Sequence, residues 1–214
     1  MKKIQTGFTL IELAIVLVII GLLLGGVLKG QELINSAKVK NMARDFQNVQ
    51  VYLYGYQDRF HVLPGDDHNA NTHVGGTVPA NGTQNGVIEG NWNTVTAGDE
   101  TCAIWEHIRR ANLAPGSTAI SCVANNTYQP RNADGGLIGI QSVSTAIPEI
   151  SGMTGAFVVC SDNILGRYAA QIDTTLDDGI GNTGAVRVAT AGAALSTGVA
   201  APVEGNRYMV CMSF

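Results

Sequence analysis

The chain opens with one long apolar run. Residues 8–28 read FTLIELAIVLVIIGLLLGGVL, and Glu12 is the single charged residue among them. A run of this length is enough to span the apolar core of a bilayer as a helix. It is longer than the apolar part of a typical secretory signal, and no A-x-A cleavage site follows it. The pattern therefore predicts a transmembrane helix that is retained.

Beyond this run the apolar residues become spaced. They recur three and four positions apart, at Val39, Met42, Phe46, Val49, Leu53, Tyr56 and Phe60. This spacing places them on one face of a helix. Proline and glycine at Pro64 and Gly65 prevent the helix from continuing. One helix over residues 8–60 accounts for both patterns, with its second half as the element on which the rest of the chain packs. A coiled coil is the alternative explanation of the stripe.

The remaining chain, residues 61–214, predicts a head built from short elements. Residues 61–100 are rich in Gly, Asn, Asp and Thr, which indicates a long loop region. Asp99 is expected to cap a helix over 102–113, and 167–176 has helical spacing. Strand candidates are the apolar runs near 118–124, 137–143, 155–160, 185–190 and 207–213. The fold class is therefore α+β, with a small antiparallel sheet laid on the long helix.

Composition and cysteine content narrow the class of protein. The net charge is -4 and 14% of residues are charged, which gives no support to nucleic-acid binding. Four cysteines follow the apolar segment and favour an oxidising compartment with two disulfides: Cys102, Cys122, Cys160 and Cys211. Of three connectivities, Cys102–Cys122 with Cys160–Cys211 is favoured, because the second pair lies in two apolar runs that resemble neighbouring strands. Free thiols in a reducing cytosol are the alternative, and the spacing does not resemble a zinc site.

Glu12 is the unusual residue of the membrane segment. A carboxylate near the start of a membrane helix costs on the order of 3 kcal/mol unless it has a partner, so it points to a function. A position close enough to the headgroups to stay hydrated is the alternative. The context is Gly7-Phe8-Thr9-Leu10-Ile11-Glu12, preceded by a short basic leader. Over residues 1–30 this sequence closely resembles the type IV prepilin signature.

The resemblance implies a processing step and an assembly step. In that family a membrane aspartyl peptidase cuts after the glycine and methylates the new N-terminus, here between Gly7 and Phe8. Residues 1–7 would be the leader peptide. The positive α-amine of Phe8 would then be neutralised by Glu12 of an adjacent copy, so that subunits associate in register.

The leading hypothesis is a structural subunit, not an enzyme, of a type IV pilus or of a type II secretion pseudopilin filament. It would be inserted in a bacterial inner membrane with residues 61–214 outside the cytoplasm, and then enter a filament in the periplasm or on the cell surface. The expected partners are the membrane, prepilin peptidase, the inner-membrane assembly machinery, and other copies or related pilins. A minor or tip subunit that binds a surface, DNA or a secreted substrate is the alternative. A membrane-tethered extracytoplasmic enzyme is a third hypothesis.

Two loops are candidates for calcium, the one cofactor that the sequence suggests. The first offers oxygen side chains at alternate positions, Asn81, Thr83, Asn85 and Glu89, although amides replace the usual carboxylates. The second offers three carboxylates beside a turn, Asp173, Asp177 and Asp178. Pseudopilins of type II secretion are a group in which calcium holds a loop of the head. Hydrated turns are the alternative for both loops.

Catalytic motifs are missing from the sequence. It contains no H-E-x-x-H and no G-x-S-x-G, and no Gly-rich phosphate loop follows a predicted strand. Asp66, Asp67 and His68, followed by His73, could ligate a metal, but they lie in a polar loop where such side chains usually face water. The sequence therefore favours a structural role over catalysis.

Overall fold

The computed structural model describes residues 9–122, 128–143, 150–190 and 197–214. The chain divides into two compact units, of which the first ends at Lys38 and the second is Val39–Phe214. The division falls inside the long helix α1, Leu10–Phe60. Because the units are separate, the two halves of helix α1 are described in turn.

The first half of helix α1 exposes its apolar side chains. Leu17 and Leu22 are 70% and 72% exposed, and the most apolar 18-residue window of the helix contains no buried residue. The helix is long and apolar enough to cross a membrane. A Cβ built on Gly21, Gly25 or Gly26 would meet no atom within 4 Å. This segment therefore has its apolar surface available on every side.

The second half of helix α1 carries the predicted stripe. Its buried residues are Val39, Met42, Ala43, Phe46, Val49, Leu53 and Tyr56. Phe60, the last residue of the stripe, is partly exposed. The helix ends there and the next residue, His61, has a φ of 57°, in the left-handed region. The predicted end of the helix and its role as a packing element for the head are both confirmed.

In the described part of the chain, four strands form one antiparallel sheet. They are β1 (Ile138–Ser142), β2 (Phe157–Leu165), β3 (Val186–Thr190) and β4 (Arg207–Ser213), in the spatial order β1-β2-β4-β3. Four of the five predicted strands are confirmed. The strand predicted near 118–124 is wrong for residues 118–122, whose side chains are mostly exposed, so they contribute too little apolar surface to a sheet. Residues 123 and 124 lie outside the described residues.

Among its described residues the head also has three shorter helices: α2 (Ala70–His73), α3 (Glu100–Arg110) and α4 (Gly166–Leu176). Helices α3 and α4 match predicted helices, whereas α2 has no counterpart in the prediction. Asp99 holds the N-cap position of α3, but its carboxylate makes no capping bond. Its oxygens accept hydrogen bonds from Asn81 and Thr94 instead.

The sheet is covered on both faces. One face joins the core that contains Phe46 of helix α1 and Ile172 of helix α4. The other face packs Val158 and Met209 against Trp92, from the long loop region. Successive side chains of a strand point to opposite faces of the sheet, so a strand with adjacent apolar residues gives apolar side chains to both faces. An α+β, pilin-like arrangement of helix and antiparallel sheet is the result.

All four cysteines are paired. Cys102 at the start of helix α3 is bonded to Cys122, and Cys160 is bonded to Cys211. The second pair joins directly opposed residues of β2 and β4. Both predicted disulfides are confirmed, and so is the inference that the apolar runs around Cys160 and Cys211 are neighbouring strands.

Candidate functional site

Glu12 is hydrogen-bonded to Thr9, the residue just before helix α1. The backbone N–H and the hydroxyl of Thr9 both donate to Oε2 of Glu12, at 2.8 Å and 2.7 Å, and the N–H of Glu12 lies 3.4 Å from the Thr9 hydroxyl. This reciprocal arrangement is a capping box, which satisfies amide groups that have no partner within the helix. A carboxylate has about four acceptor positions, so Glu12 can still accept from another group. The proposed cleavage position, Gly7 and Phe8, lies outside the described residues.

The second predicted calcium loop brings its three carboxylates together. One oxygen each of Asp173, Asp177 and Asp178 lies within 4.8 Å of the others. Asp173 is fully buried, and neither of its carboxylate oxygens has a hydrogen-bond partner among the described residues. Burial, together with the negative charges of Asp178 and Asp177, raises the pKa of Asp173 to about 6. A buried carboxylate without a partner is costly, and a cation would remove that cost.

The neighbouring backbone fixes the other two carboxylates. Asp177 accepts a hydrogen bond from the amide of Val186 at 2.9 Å. Asp178 accepts from the amide of Ile180 at 2.8 Å and from the hydroxyl of Thr183 at 2.6 Å. The cluster also lies at the C-terminal end of helix α4, where the helix dipole favours positive charge. An oxygen-only set of this kind matches the ligands that Ca²⁺ prefers.

The first predicted calcium loop is organised differently. The side-chain amide of Asn85 donates to the hydroxyl of Thr83 and to Oε1 of Glu89, both at 3.2 Å. Asn81 instead donates to Asp99 at 2.9 Å. The amide of Asn85 therefore holds Thr83 and Glu89 together, whereas Asn81 is hydrogen-bonded to a residue outside this loop. Calcium binding at this loop stays a prediction.

A cluster that the sequence analysis did not assemble lies beside that loop. Oxygens of Asp66 and Glu100 and a ring nitrogen of His68 lie within 4.8 Å of one another. The expectation that Asp66 faces water is wrong, since this residue is 1% exposed. Its carboxylate is drawn inward by the amides of Asn85 and Gly86, which donate to it at 3.1 Å and 2.8 Å. Polar composition alone does not reveal such an inward turn.

Glu100 is the most deeply buried member of this cluster. It is 0% exposed, and burial raises the pKa of its carboxyl to about 8. The charges of Asp66, Glu89 and Asp99 act in the same direction, whereas the amide of Glu89, which donates at 2.7 Å, lowers the pKa. The sequence shows that Asp66 and His68 are residue types that can bind a metal. It does not indicate that Glu100, which directly follows the predicted helix cap, joins them.

Asp67 is also buried, and it holds a structural network. Its Oδ2 accepts from the hydroxyl of Tyr56 at 2.7 Å and lies 2.7 Å from Nδ1 of His73, and its Oδ1 accepts from the amide of Asn69. Although burial raises the pKa of Asp67, these hydrogen bonds outweigh burial and hold it below the ordinary value. The network fastens the end of helix α1 to the segment that follows it. The expectation that Asp67 faces water is therefore wrong as well.

Both ring nitrogens of His107 are hydrogen-bonded to backbone groups. The amide of Gly65 donates to Nδ1 at 3.0 Å, so Nε2 carries the proton that is donated to the carbonyl of Thr77 at 2.8 Å. Burial lowers the pKa of the ring, which keeps it neutral. Both ring nitrogens therefore serve the packing of helix α3 against the loop region.

The start of the chain matches a known family model. Residues 2–28 match the prokaryotic N-terminal methylation motif, and the matched residues include Gly7, Phe8 and Glu12. The comparison with curated proteins and the comparison with solved structures find no match. The matched segment ends where the predicted membrane span ends, and helix α1 supplies the apolar helix that this span requires. The chain therefore carries the signature of the type IV pilins and pseudopilins.

Proposed function

We propose that this protein is a structural subunit of a type IV pilus or a pilus-like filament. The observation that carries the proposal is the exposed apolar first half of helix α1, whose membrane-length apolar run contains one charged residue, Glu12. Such a surface is stable in lipid or against other apolar helices, and it is unfavourable in water. Subunits would first insert in the inner membrane and then exchange lipid contacts for contacts with other copies.

Glu12 would set the register of this exchange. Cleavage between Gly7 and Phe8 creates a positive α-amine, and N-methylation keeps that charge. In a low-dielectric environment the amine and a carboxylate of a neighbouring copy stabilise each other, provided that the copies are aligned. The hydrogen bonds from Thr9 support this role because they hold the Glu12 carboxylate at the beginning of the helix.

A matched pair of variants tests this function. Glu12→Gln keeps the shape of the side chain and removes its charge, whereas Glu32→Gln removes an exposed charge that pairs with Lys29 at 2.6 Å on the same helix. We expect both variants to be cleaved and to reside in the membrane, and only Glu12→Gln to lose at least tenfold in filament incorporation. Subunit abundance in sheared filaments measures the loss, and it also distinguishes a major subunit from a minor or tip subunit. Normal incorporation of Glu12→Gln would contradict the proposed pairing.

We further propose that Asp173, Asp177 and Asp178 bind calcium. The two oxygens of the buried Asp173 side chain, which have no partner among the described residues, support this assignment. Without calcium, Asp173→Asn should raise the melting temperature at pH 7, because it removes a buried charge. With calcium the wild type should have the higher melting temperature, because only the wild type gains binding free energy. Asp58→Asn, at an exposed position of helix α1, is the control, and a wild type that calcium does not stabilise would refute the site.

A further inference from the structure

We propose that Asp66, His68 and Glu100 bind a divalent transition-metal ion, for which Zn²⁺ is the best match. The three side chains come from two parts of the head, the segment after helix α1 and the first turn of helix α3. Nε2 of His68 lies 3.9 Å from Oε1 of Glu100, and the Asp66 ligand atom lies within 4.8 Å of both. Ligands around a tetrahedral zinc ion lie about 3.4 Å apart, so a small inward movement completes the site.

Two atoms of this cluster are buried without a hydrogen bond. Oε1 of Glu100 and Nε2 of His68 have no hydrogen-bond partner among the described residues. The other oxygen of Glu100 is held by the amide of Glu89 at 2.7 Å, which leaves Oε1 directed toward the ring of His68. Leaving a buried polar atom unpaired is unfavourable, and more so when the group is charged. A bound cation satisfies both atoms at once.

The surrounding loop is shaped around the same point. Gly82 has a φ of 94°, and a Cβ at this position would overlap Oε1 of Glu100 and lie 2.8 Å from Oε2 of Glu89. Glycine therefore leaves open the space between these two carboxylates. The amides of Asn85 and Gly86 donate to the two oxygens of Asp66 and orient its carboxylate, as supporting groups of metal sites do. The carboxylate of Glu89 lies next to the space that Gly82 leaves open.

The donor set selects the class of ion. Calcium and magnesium prefer oxygen ligands alone, as in the Asp173 cluster. Imidazole nitrogen combined with carboxylate oxygen is the set that suits zinc and neighbouring transition metals. The two clusters should therefore differ in metal preference. Residues 61–99 contain only the four residues of helix α2 as regular structure, so an ion at Asp66, His68 and Glu100 would act as a cross-link for this region.

The test uses the full-length chain in detergent, stripped with a chelator and titrated with ZnCl₂. We expect one Zn²⁺ per chain at this site and a higher melting temperature after loading. Glu100→Gln and His68→Ala should each weaken Zn²⁺ binding at least tenfold. His68 is partly exposed, so His68→Ala still tests the site if Glu100→Gln fails to fold. His61→Asn, which removes an exposed histidine and tolerates its left-handed backbone, is the matched control and should bind normally.

A second variant separates this site from the calcium site. Asp173→Asn should leave Zn²⁺ binding unchanged while it abolishes stabilisation by Ca²⁺. Wild-type affinity for Zn²⁺ in both Glu100→Gln and His68→Ala would overturn the proposal. So would loss of Zn²⁺ binding in Asp173→Asn alone, because the ion would then lie at the other cluster. None of these outcomes depends on filament formation.

Discussion

The packing of helix α1 into the head can be tested with two valines of the same helix. Val49 is 5% exposed and belongs to the main core, whereas Val51 is 66% exposed. Val49→Ala removes two buried carbon groups, which costs about 1.6 kcal/mol in transfer free energy, and the cavity adds to this. The higher helix propensity of alanine offsets about 0.5 kcal/mol of this loss in stability. We expect Val49→Ala to lower the free energy of unfolding by about 2 kcal/mol, and Val51→Ala to leave it unchanged or slightly higher.

Tryptophan fluorescence during urea unfolding is the appropriate assay. The chain has two tryptophans, and both Trp92 and Trp105 are 1% exposed in the head. Their emission therefore reports the unfolding of the unit that contains Val49. The full-length chain is unfolded in detergent without reductant, so that both disulfides stay closed. Equal unfolding free energies for Val49→Ala and Val51→Ala would refute the role of this helix as the packing element of the head.

Two further predictions concern carboxylates of the unit Val39–Phe214. Burial raises the pKa of Asp45 to about 6, so the unfolded chain loses this proton first and stability falls as the pH rises from about 4 to 6. Asp45→Asn should remove this fall and stabilise the protein at pH 7 by about 1 kcal/mol after allowance for solvent screening. Urea unfolding of the wild type and the variant at pH 4 and pH 7 measures the change. If the variant's stability depended on pH as the wild type's does, Asp45 would not be the cause of the fall. Tyr56→Phe removes a hydrogen bond to the buried carboxylate of Asp67 and should cost roughly 2 kcal/mol at pH 7. Because the pKa of Asp67 is held below 3.8, this cost should shrink as the pH falls below that value, and a pH-independent cost would exclude the charge as its origin.

Local patterns predict the elements that depend on local physics. The stripe from Val39 to Tyr56 identifies the buried face of helix α1 because helical periodicity is a property of neighbouring residues. Pro64 and Gly65 likewise mark the end of that helix. The disulfide between Cys160 and Cys211 is predictable because both cysteines lie in apolar runs that behave as adjacent strands.

Features that depend on the path of a long loop are not predictable in this way. Asp66 and Asp67 lie in a polar segment, yet both are buried because backbone amides and side-chain hydroxyl groups satisfy their oxygens. Glu100 joins Asp66 only after the intervening loop has folded back. The strand prediction at 118–122 is wrong because an apolar composition does not show whether the side chains are buried, and here most of them are exposed.

The three aspartates of the calcium loop are an intermediate case. Asp173, Asp177 and Asp178 lie within one helix end and its following turn, so the sequence places them close together. It does not reveal that Asp173 is fully buried while the other two are at least partly exposed. That asymmetry comes from the packing of helix α4 on the sheet, and it is what makes a cation favourable there.

The central claim is that the exposed apolar half of helix α1 becomes an assembly segment once the leader has been removed. Mass spectrometry of the N-terminal peptide, taken from the sheared filament fraction, tests this claim most directly. The account predicts a peptide that begins at Phe8 and is heavier by one methyl group on its α-amine. A peptide that still contains Gly7, or absence of the chain from the filament fraction, would contradict it.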